Sequence, residues 1–204
     1  MNSTPNPRKV SVASTSALHK KAEDNLRYIR DSMESATSFT GVSGKGYIIV
    51  GVSALFATWF AEQQTSQMWW LVVWMVELLI ATVFMLLMTV QKAKRQGESL
   101  WSTNGKKLWF AFFPAMTVGG VLTLSLFLQG NISWLPGIWL SLYGAAVMTA
   151  GAYSVAIIPV MGVLFLLLGS TVLLTNLPSN LALGLGMGGF HMVFGYFVWR
   201  DYGG

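Results

Sequence analysis

The chain has 204 residues, 53% of them hydrophobic and only 10% charged, with nine Trp, no Cys and a formal net charge of +5. Soluble domains carry about 25% charged residues, so the composition excludes an ordinary globular domain. The lack of Cys excludes a disulfide framework, a thiol nucleophile and a thiolate metal site.

Residues 1–16, MNSTPNPRKVSVASTS, are rich in Ser, Thr, Pro and Asn and read as a disordered cytoplasmic tail. No cleavable signal peptide is visible. Over residues 17–40, Leu18, Ala22, Leu26, Ile29, Met33 and Ala36 recur at spacings of four, four, three, four and three. That is one stripe of an amphipathic cytoplasmic helix. Its other face carries Lys20, Lys21, Glu23, Asp24, Arg27, Arg30, Asp31 and Glu34. Charges of mixed sign argue against a purely polybasic lipid anchor. The stripe is left to pack on the membrane bundle, on lipid, on a cytoplasmic protein or on a second copy of the chain.

Six apolar blocks follow, at about 46–61, 68–90, 108–128, 134–152, 155–175 and 180–199. About 20 apolar residues cross a hydrocarbon core of about 30 Å, so each block is a predicted membrane span. The first is short. Pro114 and Pro159 lie inside the third and fifth blocks, where kinks are expected, and Pro136 falls in the first turn of the fourth. The predicted fold class is all-α: a six-helix transmembrane bundle over 46–199, preceded by the amphipathic helix and followed by a short tail, 200–204.

Lys and Arg sharpen the topology. Arg8, Lys9, Lys20, Lys21, Arg27, Arg30 and Lys45 precede the first block; Lys92, Lys94, Arg95, Lys106 and Lys107 lie between the second and third; Arg200 follows the sixth. The connections after blocks one, three and five hold none. By the positive-inside rule both termini are cytoplasmic, and the net charge needs no nucleic acid to explain it.

Glu77 is the only acidic residue well inside a block. A carboxylate in hydrocarbon is costly, so Glu77 must face the bundle interior, pair, or carry a proton. It lies nine residues after Met68, about 14 Å below the outer edge. His191 lies eleven residues after Asn180, about 16 Å deep, so the two are expected to face each other. Gly184, Gly188, His191 and Gly195 share one helical face, and such small residues let a second helix approach closely. The glycine series follows no strand, so it is no phosphate loop. Tyr143, near the middle of the fourth block, is a candidate third member of a polar cluster. The spans hold no Ser/His/Asp set and no metal-ligand cluster, so no enzyme, cofactor or metal is expected.

The stretch LRYIRDSMESATSFTGVSGKG, residues 26–46, and the ending GGFHMVFGYFVWRDYGG, residues 188–204, resemble a group of uncharacterised bacterial six-span membrane proteins. The resemblance covers about a fifth of the chain and includes the position of His191, but not Glu77. It implies a bacterial inner-membrane location and a shared plan, without an activity. Two functions follow as expectations. One is a non-enzymatic scaffold or regulatory subunit acting through the helix at 17–40. The other is a small transporter or proton-coupled channel using Glu77 and His191.

Overall fold

The computed structural model describes residues 19–29, 33 and 38–203. They fall into two units, 1–37 and 38–204. In the first, residues 19–29 are helical, and Leu26, Ile29 and Met33 of the predicted stripe are exposed. Leu18, Ala36 and the expected tail lie outside the described residues. The predicted helix does not reach residue 40, because 38–43 are non-helical and belong to the second unit.

That unit is all-α, with no strand among the described residues. Its helices are α1 (Gly44–Glu62), α2 (Gln67–Arg95), α3 (Thr103–Leu128), α4 (Leu135–Gly151, led by a 3-10 turn at Ile132–Trp134), α5 (Ile157–Leu174) and α6 (Ser179–Tyr202). All six are long and apolar enough to cross a membrane. With 18 residues, α5 is about 27 Å long, close to the thickness of a hydrocarbon core. The protein is a multi-pass membrane protein.

The polar helix ends explain where the predicted limits move. α2 continues to Arg95 rather than ending at 90, placing Lys92, Lys94 and Arg95 in its last turn, where cations favour the helix dipole. α3 starts at Thr103 rather than 108, because the Ser102 hydroxyl caps it by accepting from the Gly105 N–H at 3.2 Å. Gly97 and Gly130 close α2 and α3 at φ +70° and +71°. In each case the next amide, of Glu98 or Asn131, bonds back to a carbonyl of the last turn, Ala93 or Leu126. Pro114 lies within α3, and the Thr149 hydroxyl of α4 lies 3.2 Å from the nearby Ala111 carbonyl and 2.8 Å from Ala145 O of its own helix. Pro159 does not sit mid-helix as expected. It is the third residue of α5, where its missing N–H costs nothing.

Glycine sets which helices touch. On α4 and α5 the backbones are so close that a Cβ at Gly144 would strike Leu166 N, and one at Gly162 would strike Met148 N. α1 and α6 pair in the same way, Gly44 against the Trp199 backbone and Gly195 against Tyr47. Phe165, Leu135, Leu140, Met161, Leu183 and Val198 fill the core between these pairs. α2 and α3 hang at the margins and make almost no contact with each other. Over an eighteen-residue stretch, 17% of α2 and 6% of α3 is buried, against 44% of α1 and 50% of α6. A gap between α2 and α3 is the consequence.

Residues 38–43 form a strap across the end of the bundle that carries the α2–α3 connection. The Phe39 N–H donates to Tyr153 O at 2.9 Å, and Ser154 Oγ donates to Phe39 O at 2.8 Å. Thr40 Oγ1 donates to Glu98 Oε1 at 2.7 Å, and Lys92 Nζ donates to Val42 O at 2.9 Å. Lys92 and Glu98 thus do more than set charge, since each holds the strap by its backbone or hydroxyl.

Candidate functional site

The gap between α2 and α3 opens into a chamber of about 590 Å³. Along α2 its wall runs from Leu71 to Thr89, and along α3 from Gly105 to Phe127. Eighteen residues of helix rise about 27 Å, so the chamber extends nearly the full depth of a bilayer. Phe39 and Val42 of the strap close its basic end. Leu78 and Leu124 line it yet are 49% and 61% exposed, which marks the side open toward the bilayer.

Glu77, Tyr143 and His191 all line this one chamber. Glu77 is 8% exposed and lies 2.8 Å from Ser53 Oγ on α1. That hydroxyl also lies 3.0 Å from the Val50 carbonyl. A hydroxyl has one proton to donate, so the two contacts describe two states. With Glu77 ionised, Ser53 donates to the carboxylate. With Glu77 protonated, the carboxyl donates to Ser53, which turns its own proton to Val50 O. Both states are hydrogen-bonded, so neither pays for an unpaired buried group.

His191 is 3% exposed, with Nε2 2.7 Å from the Tyr143 hydroxyl. Either group donates, according to the imidazole tautomer. Its Nδ1 is buried without a hydrogen-bond partner. The rings of Tyr47, Tyr143 and Phe165 surround it at centroid distances of 5.4–5.5 Å.

No hydrogen bond or ion pair joins Glu77 to His191; each has a hydroxyl partner instead. Trp70 Nε1 donates to Asn180 Oδ1 at 2.7 Å, which joins α2 to α6 at the end away from the strap.

Gly184, Gly188 and Gly195 face α1, where a Cβ on each would meet Thr58, Leu55 and Tyr47 respectively. α1 fills the predicted groove. His191 packs on Tyr47 of α1 and reaches Tyr143 of α4, and it directly follows a π-helix at Gly184–Phe190. Such turns are frequent at functional sites.

Three residues of the site were not expected from sequence. Ser53 is the partner of Glu77. Trp74, one turn from Glu77, lines the chamber with an indole N–H that has no hydrogen-bond partner. Asn180 joins Trp70 to Glu62 at the opposite end from the strap. Ser53 had a readable signal: it and Glu77 each lie twelve residues from Thr65, the centre of the α1–α2 turn, so an antiparallel hairpin sets them level.

A scan against protein-family models and searches of curated proteins and of solved structures find no match for this chain.

Proposed function

We propose that the protein is a small non-enzymatic transporter of the bacterial inner membrane, with both termini cytoplasmic. In it the chamber binds an amphiphilic substrate and Glu77 exchanges a proton with each turnover. One observation carries the reading: a single bilayer-deep chamber reaches Glu77 together with the Tyr143–His191 pair. The two hydrogen-bonded states open to Glu77 through Ser53 support proton exchange. The location and orientation rest on the Lys and Arg distribution and on the resemblance at 26–46 and 188–204.

A second, compatible role is favoured by the exposure of Leu26, Ile29 and Met33. The helix over 19–29, with Met33, would then hold a cytoplasmic protein or a second copy, as a scaffold or regulatory subunit does.

Liposomes with a trapped pH dye and an imposed pH gradient test both. We expect at least one member of a panel of cationic, neutral and anionic single-chain amphiphiles to collapse the gradient with wild type and with a chain lacking residues 1–37. Glu77→Gln should abolish the effect. If no amphiphile acts, or Glu77→Gln acts as wild type, the transport reading fails and the scaffold reading stands alone.

A further inference from the structure

The chamber's charge pattern narrows its occupant. We infer that it takes a lipophilic cation, an alkyl ammonium, which displaces the proton of Glu77; this rests on the transport reading and names its substrate class. Among the lining residues there is one acid, Glu77, and no Lys or Arg. An anionic headgroup would meet a carboxylate and no compensating charge. A cation would meet the only group in the chamber able to become its counterion.

Shape and aromatic content agree. From Glu77 to Thr89 the wall runs twelve residues, about 18 Å, which a tetradecyl chain fills with its head at Glu77. Trp74, one turn from the carboxyl, adds an aromatic ring to the same stretch of wall. The tail would lie against Met85, Leu86 and Met116, adaptable side chains suited to a flexible chain. Entry runs sideways from the bilayer between α2 and α3, where Leu78 and Leu124 remain exposed.

The exchange balances simply. The Glu77 O–H bond breaks, the proton leaves to water, and the ammonium takes its place as counterion. The other titratable groups facing the chamber are Tyr47 of α1, Tyr143 of α4 and His191 of α6; α3 and α5 contribute none.

The test uses the full chain in phosphatidylcholine nanodiscs and a tetradecyltrimethylammonium carrying a diazirine in its chain, with adducts mapped by mass spectrometry. The probe's charge is permanent, so any pH dependence belongs to the protein. We expect adducts on chamber residues such as Met85 and Met116, decreasing about tenfold per pH unit once protons win Glu77. Glu77→Gln should lose them about tenfold or more, while the conservative Glu77→Asp keeps them. The matching alkyl sulfate should label only lipid-facing residues such as Phe110 and Leu174. Chamber labelling by the sulfate equal to that by the cation would overturn the inference, as would pH-independent labelling of wild type, a comparison that needs no variant. Gradient collapse by an anionic amphiphile without cation labelling would sink the substrate class and leave transport standing. Cation labelling without any gradient collapse would do the reverse.

Discussion

Gly162→Ala should cost the protein most of its folded yield. The added Cβ would lie against Met148 N and Cα and the Gly144 carbonyl, all backbone atoms of α4 that cannot rotate away. α4 and α5 would have to separate, and forced overpacking of this kind costs about 1–3 kcal/mol or more. The α4–α5 contact is the most extensive in the bundle, so little else compensates. Gly120→Ala is the matched control, since a Cβ there meets nothing within 4 Å. Fluorescence-detected size exclusion after a heating series compares the two. Gly120→Ala should match wild type while Gly162→Ala melts earlier or aggregates. Equal melting would mean that α4 and α5 are not in backbone contact.

Glu98→Gln should unlatch the strap. The Glu98 carboxylate accepts from Thr40 Oγ1 at 2.7 Å and from the Thr40 N–H at 3.2 Å. Gln keeps an acceptor oxygen but loses the charge, a difference of about 1–1.5 kcal/mol, or roughly five- to tenfold in the ratio of closed to open strap. Phe39 and Val42 of that strap close the chamber, so its release should admit water and reagents from that end. Thiol labelling of a chamber cysteine from the basic end should accelerate by about the same factor. Ser154→Ala, which removes the hydroxyl bond to Phe39 O, should act in the same direction and more weakly. An unchanged rate in Glu98→Gln would mean that the strap is not a barrier.

The spans were legible because hydrocarbon permits little else. Long apolar blocks without charge become helices, and the outlying Lys and Arg mark their ends. Gly184, Gly188 and Gly195 were readable as a packing face for the same reason, since only a small residue lets backbones approach. Their partner was not readable, nor was the matching series Gly137, Gly144, Gly162 and Gly169 on α4 and α5. Helix adjacency in a bundle depends on which small-residue faces find each other, and a single sequence offers several choices. The hydrogen-bond partners of Glu77 and His191 were not readable for a related reason. Depth counted from block ends ignores rotation, so it does not show that Glu77 meets Ser53 and His191 meets Tyr143. The chamber was invisible because it is made by helices that fail to touch, which no local pattern records.

The chain contains no cysteine, so one introduced thiol reports one position. Ala81 lies one turn beyond Glu77 on the chamber wall, whereas Leu79 is 66% exposed on the outer surface of the bundle. The most direct measurement is labelling of Ala81→Cys by a membrane-impermeant thiol reagent, in right-side-out and in inside-out vesicles. A transporter presents its site to each side in turn, so Ala81→Cys should react in both preparations while Leu79→Cys reacts in neither. Failure of Ala81→Cys to react from either side, or reaction from one side only, would contradict transport through this chamber.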